Sequence, residues 1–230
     1  MKYTGQYWIM IVPFMKRLLA KKYGRKAAKE YIRKAKYIYR QMLAQAEDIG
    51  AKNPMAHNVY MSFVFMAIWK AADGAITPDD MRDMTRELLE MKIVRTVMGS
   101  GLNVNKPGDM DKLSGKFHKC VAWAEGHPEY RDKTWDFHFD DTLHKSGIYY
   151  YFTRCPLNDY ARAYGYLEIL PVMCELDYLL AGLYHARLYR EQTLAGGGTI
   201  CDYWFVGDQE PEYSAEGWRN DVHDGERLQR

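Results

Sequence analysis

Between residues 13 and 46 apolar side chains recur at Leu19, Tyr23, Ala27, Tyr31, Ala35, Ile38 and Met42, surrounded by basic residues. That three-to-four spacing is one face of a helix. Gly50 and Pro54 punctuate its exit. Residues 55–72 read as a second helix; its stretch 55–69 lacks Asp, Glu, Lys and Arg, yet is shorter than the roughly 20 residues needed to cross a bilayer. A buried helix is expected there. Thr77-Pro78-Asp79-Asp80 is a helix start, with a capping hydroxyl, proline at the first helical position and acids in the first turn. Met81, Met84, Leu88, Met91 and Met98 continue one face until Gly99-Ser100-Gly101. A weaker helix covers 109–124.

The period then changes from helical to alternating. Trp135, Phe137 and Phe139 alternate with Asp136, His138 and Asp140, which is strand spacing. Residues 148–154 form an aromatic strand after Gly147, expected to pair with the first as a hairpin. Helices at 158–164 and 168–184 follow, then strands at 188–194 and 200–206 joined by Ala195-Gly196-Gly197-Gly198. The fold class is therefore α+β: a helical N-terminal half packed on a C-terminal antiparallel sheet with ββααββ order. The division is a helical region (1–130), a mixed region (131–207) and an acidic, irregular tail (208–230).

Charge and cysteine content narrow the class. The chain of 230 residues carries a net charge of +2, but residues 16–40 hold eleven Lys and Arg against one acid, Glu30. Such a segment is either a solvated helix face or a contact for nucleic acid, an anionic membrane or an acidic partner. The solvated face is the simpler expectation, so nucleic acid is not expected as a partner; a homo-oligomer is allowed. The apolar run 7–12 is short, lacks a small-residue cleavage site and stops at Pro13, so neither a targeting segment nor a membrane span is expected. Four cysteines without a CxxC pair read as reduced thiols of a cytoplasmic protein.

Candidate chemistry gathers between Tyr149 and Phe205. On the helix at 168–184, the spacing gives Leu176, Leu179, Leu180 and Leu183 a core face, and Glu168, Glu175 and Gly182 a wet face. Cys174, Asp177 and Ala181 form a third face. An acid there is either the wall of a pocket or bonded to backbone in an adjacent loop. Cys155 stands where the aromatic strand stops, beside Arg154 and just before Pro156. A helix start can favour its thiolate, and the alternative is an inert buried thiol. Strand parity places Cys155 with Tyr149, Tyr151 and Thr153, and Cys201 with Tyr203 and Phe205, away from Asp202 and Trp204. The glycines before Cys201 either let a ligand approach backbone closely or make a hairpin turn. Arg190 and Thr193 are candidate anion and hydroxyl contacts, and His138, between Asp136 and Asp140, a candidate proton carrier. Zinc sites draw ligands in close pairs, and none exists among Cys155, Cys174, Cys201, His138, His144, His185 and Asp177, so no metal or other cofactor is expected.

Four blocks in order carry a resemblance: Tyr151-Phe152-Thr153-Arg154-Cys155-Pro156; Leu170-Pro171-Val172-Met173-Cys174-Glu175-Leu176-Asp177; Gln192-Thr193-Leu194-Ala195-Gly196-Gly197; and Cys201-Asp202-Tyr203-Trp204-Phe205. Together they resemble the L-2-amino-thiazoline-4-carboxylic acid hydrolase family. The resemblance implies hydrolytic opening of a cyclic isothiourea to a carbamoyl amino acid. Carried over, its matching positions are Cys155, Cys174, Asp177, Gly196, Gly197, Cys201 and Asp202. A mechanism on this pattern would use Cys155 as nucleophile and Asp177 to orient the substrate cation. His138 or His185 would protonate the leaving group, and Arg154 or Arg190 would hold a carboxylate. Competing expectations are water activated by Asp177, a small-molecule sensor without turnover, and a nucleic-acid or membrane contact through residues 16–40.

Overall fold

The computed structural model describes residues 1–98, 101–140, 142–144 and 146–211, with backbone alone at 97 and 98. The turn at Gly99 and Ser100, the side chain of Met98 and the tail beyond residue 211 lie outside the described residues.

Six helices come first: α1 (Gln6–Tyr23), α2 (Arg25–Gln45), α3 (Ala56–Ala71), α4 (Pro78–Glu90), α5 (Lys92–Met98) and α6 (Asp109–Glu125). The continuous helix expected over 13–46 is two helices. α1 starts seven residues before Pro13 and runs through it, and Gly24, at φ 86°, turns the chain back into α2. The proline ring costs the Ile9 carbonyl its helical partner. Ile9 lies on the exposed side of α1. α4 begins as the sequence predicts: Thr77 Oγ1 accepts the Asp80 amide and the Asp80 carboxylate accepts the Thr77 amide, a reciprocal capping box. The expected single face from Met81 to Met98 is interrupted, because Met91 takes an extended ψ of 129° and separates α4 from α5.

The second half follows the expected order: strands β1 (Phe137–Phe139) and β2 (Ile148–Phe152), helices α7 (Pro156–Tyr164) and α8 (Leu170–Gly182), strands β3 (Ala186–Tyr189) and β4 (Cys201–Gly207). The sheet order is β1-β2-β4-β3, all antiparallel. Tyr150 pairs with Tyr203 and Phe152 with Cys201. Hence Ile148, Tyr150, Phe152, Cys201, Tyr203 and Phe205 share one face. That face joins the core that runs through the helical half. Tyr149, Trp204 and Val206 face the other way into a small separate cluster, where His144 stacks on Trp204 at 4.0 Å. Gly147 at φ +83° has the Phe205 carbonyl where a side chain would begin, so no other residue fits that turn.

α8 packs between α4 and β3. Arg82 of α4 donates through Nε and Nη2 to the two carboxylate oxygens of Glu175, at 2.5 and 3.1 Å. The expected leucine core face is corrected here. Leu170, Val172, Met173 and Ala181 are buried, whereas Leu176, Leu179, Leu180 and Leu183 are half-buried. The helix turns its Cys174–Asp177–Ala181 face to the sheet because a charged partner waits there.

Candidate active site

β3 alternates Ala186, Leu188 and then Arg190 toward the helix-covered face, so the strand delivers a guanidinium beneath α8. The Arg190 side chain is only 4 % exposed. A cation that dry needs a partner. Its Nη1 donates to Asp177 Oδ2 at 3.0 Å and its Nη2 to the Cys174 carbonyl at 2.8 Å, between the rings of Tyr178 (4.9 Å) and Tyr203 (5.1 Å). The Tyr203 hydroxyl donates to the same Oδ2 at 2.9 Å. Among the described residues Oδ1 accepts no hydrogen bond, and the Asp177 side chain is 31 % exposed. Burial raises the Asp177 carboxyl above the ordinary carboxylate range, although the Arg190 charge and the Tyr203 bond act against it.

Two thiols, Cys174 and Cys201, feel this carboxylate directly, and Cys155 bears on them. Cys155 is the residue before α7, and its burial pushes the thiol up to about 12, with Cys201 adding to the shift. The amides of Asn158 and Leu157 pull it the other way. Cys201 is raised to about 11, mainly by burial, and its Sγ accepts the Leu194 amide at 3.2 Å. Cys174 is also raised by burial, and Asp177, Cys155 and Cys201 add to it. Cys174 and Cys201 therefore interact with Asp177 and Arg190, and Cys155 interacts with those two thiols. Burial thus works against the thiolate at all three.

The connection from β3 to β4 is clamped rather than open. Asp202, with no exposure, accepts the amides of Glu191 (2.9 Å) and Gln192 (2.8 Å). This ends the strand expected over 188–194 at Tyr189, since the carboxylate takes amides that a longer ladder would use. The Gln192 side chain accepts the Thr199 amide at 2.9 Å, and Thr193 accepts the amides of Gly196 (Oγ1, 3.0 Å) and Gly198 (carbonyl, 2.9 Å). Gly197 donates to Leu194 and needs its φ of +90°. These glycine amides are used within the turn, which favours the hairpin reading over an anion cradle.

Other expected site residues lie elsewhere. His138 and Tyr151 stack on each other at 4.9 Å on the opposite face of the sheet, in register across β1 and β2. His138 bonds Asp136 at 3.1 Å, and Thr153 Oγ1 donates to the same carboxylate at 2.6 Å. Parity does not carry to Cys155: the strand ends at Phe152, and Cys155 turns into the core with Phe152 rather than Tyr151. Arg154 donates to the Arg131 carbonyl at 3.1 Å, and its charge bears on Asp136 and Asp159. His185 sits in a left-handed turn before β3, against Asp208 at 3.3 Å. The residue that sequence reasoning passed over is Tyr203. Its parity with Cys201 was readable, but its bond to a helix residue 26 positions upstream is a tertiary fact.

A cleft of about 420 Å³ opens beside the first turn of α7, lined by Pro156, Asp159, Tyr160, Ile49, Val59 and Phe63 among others; the thiols and Asp177 are not among its walls. Among the described residues no group of three His, Cys, Asp or Glu side chains is disposed to hold a metal ion, and no helix is long and apolar enough to cross a membrane.

No curated protein and no solved structure matches this chain. The profile of a family described as L-2-amino-thiazoline-4-carboxylic acid hydrolase matches residues 55–205, well over half of the sequence and all the elements that build the Asp177 cluster. The chain belongs to that family.

Proposed function

We propose that the chain hydrolyses a cyclic isothiourea of the 2-amino-thiazoline-4-carboxylate type to a carbamoyl amino acid, with Asp177 as the group that holds the reacting cation. The observation that carries this is the asymmetry of Asp177. One carboxylate oxygen is fixed by Arg190 and Tyr203, and among the described residues the other accepts no hydrogen bond, on a side chain that is 31 % exposed. An amidinium offers N–H donors to such an oxygen, and the protonated ring is the electrophilic form. In this reading Arg190 orients Asp177, while the substrate carboxylate is held by a group outside the cluster.

Water attack fits the thiols best. Asp177, with its raised pKa, takes a proton from water as the oxygen bonds to the ring carbon. The ring C–N bond then breaks, and the nitrogen leaves with a proton as an amine. In this reading the thiols of Cys155, Cys174 and Cys201, whose burial disfavours the thiolate, take no part as nucleophiles. The second reading is attack by Cys155, supported by the two amides of α7 that favour its thiolate. There the sulfur bonds to the carbon, the C–N bond breaks, and water later displaces the thiol.

The test is ring opening of 2-amino-thiazoline-4-carboxylate, followed by the appearance of its free amine. With water as nucleophile, Cys155→Ser keeps activity within about tenfold of the parent. Loss of all turnover in a folded Cys155→Ser, with a substrate-sized mass adduct on the parent's Cys155, would establish the covalent route. The pH profile is a further check. Activity needs the Asp177 carboxylate, so the acid limb lies above the ordinary carboxylate range of about 4. Tyr203→Phe removes a bond that favours the charged form, so the limb moves to higher pH. An acid limb that Tyr203→Phe leaves in place would detach it from Asp177.

A further inference from the structure

The basic segment has no part in the Asp177 cluster, and α1 and α2 both precede residue 55, where the family match begins. All eleven Lys and Arg side chains between 16 and 40 are exposed. Among the described residues three of them make ion pairs: Lys21 with Glu87, Lys22 with Asp80 and Lys34 with Glu30. Among the described residues the others make no ion pair, Arg40 lying instead over the Tyr3 ring at 4.6 Å. At about 100° per residue, Arg25, Lys26, Lys29, Arg33, Lys36 and Arg40 project into one sector of α2. Beside that sector a shallow groove of about 420 Å³ is lined by Arg33, Lys34, Tyr37 and Lys70, with Asp73 the one acid on its wall, so its lining is net cationic.

A second observation selects the partner. The outward face of α1 carries Ile9 (74 % exposed), Met10 (44 %) and Pro13 in its first turns, and Lys16, Arg17 and Lys21 on the same side in its later turns. Trp8 stacks on Tyr39 at 5.5 Å, so these aliphatic residues lie at the end of the hairpin where α2 presents Lys36, Tyr37 and Arg40. A phosphate backbone of nucleic acid rewards the cations but not the exposed aliphatics. A lipid interface rewards both, and stable attachment takes two such signals. We propose that the α1–α2 hairpin is a peripheral docking surface for anionic lipid bilayers, with Ile9 and Met10 entering the headgroup boundary and the α2 cations lying over acidic headgroups.

Co-sedimentation of the full chain with phosphatidylcholine vesicles, with and without phosphatidylserine, tests this. Binding is expected with the phosphatidylserine vesicles alone, falling steeply as salt is raised. Each cation near an anionic surface contributes about fivefold. Lys29→Glu/Arg33→Glu/Lys36→Glu therefore loses at least about a hundredfold in affinity, with ring opening and thermal midpoint unchanged. Ile9→Asp/Met10→Asp weakens vesicle binding while retaining heparin binding at low salt. Four results overturn the proposal: no sedimentation with either vesicle, equal sedimentation with both, full vesicle binding by either variant, or self-association through Ile9 and Met10 without vesicle binding. Binding of duplex RNA that persists at salt where vesicles are released also overturns it and assigns the surface to nucleic acid.

Discussion

Asp177→Asn is expected to slow ring opening by about 10²–10³-fold, the loss typical of removing one preorganised electrostatic contact to a developing charge. Asparagine keeps the size of the side chain and can still accept from Tyr203. What it loses is the negative charge facing the amidinium and the proton acceptor for water. The fold pays as well. Arg190 is almost fully enclosed, and Asp177 is the carboxylate it bonds among the described residues. Leaving a buried guanidinium without its counterion costs about 2–4 kcal/mol, at or below the range for breaking a buried pair, tempered here because Arg190 keeps the Cys174 carbonyl and two aromatic faces. Activity must therefore be compared well below the melting midpoint of the variant, with far-ultraviolet circular dichroism showing it folded. A folded Asp177→Asn with near-parental turnover would remove Asp177 from the chemistry.

Asp202→Ala is expected to lower stability by about 2–4 kcal/mol. Asp202 has no exposure and accepts two backbone amides of the connection between β3 and β4. Truncation strands both donors, and an unmet buried donor costs about 1–3 kcal/mol. Burial raises the pKa of Asp202 even with these bonds, so its charge is carried at some cost, which keeps the net loss below the sum of the parts. Urea unfolding is the measurement, with the midpoint lowered and the slope unchanged. Asp202→Asn, which keeps one carbonyl acceptor, should fall between the two. A midpoint for Asp202→Ala equal to the parent's would show that the turn holds without its clamp. The two aspartates thus differ in kind: one secures a turn, and the other has, among the described residues, an oxygen that accepts no hydrogen bond.

Periodicity made most of the fold readable. The apolar 55–72 stretch and the capped start at Thr77 needed only local chemistry, and alternation on β4 placed Cys201 with Tyr203 and apart from Asp202 and Trp204, as the register bears out. Local rules failed where a tertiary partner outweighed them. Four leucines on α8 outscore a Cys–Asp–Ala face on any hydrophobic scale, yet a buried arginine just past β3 demands the aspartate, and the helix rotates to supply it. Parity likewise stopped being informative at Phe152, where the strand ends and Cys155 swings to the other side. Nothing in the spacing of Gly196 and Gly197 told a ligand cradle from a closed turn, because the difference lies in where the amides of residues 194–199 point. Gly24 illustrates the same limit in the helical half: the basic stripe runs on across it, while the chain doubles back.

The most direct probe of Asp177 is carbon-13 NMR of its carboxyl, titrated in the free protein and again with a slowly hydrolysed cyclic amidine bound. A cation seated on Oδ1 predicts a shifted resonance and a carboxyl that titrates lower once the amidine is in place. An unmoved resonance at saturating ligand, in protein that still opens the ring, would contradict it.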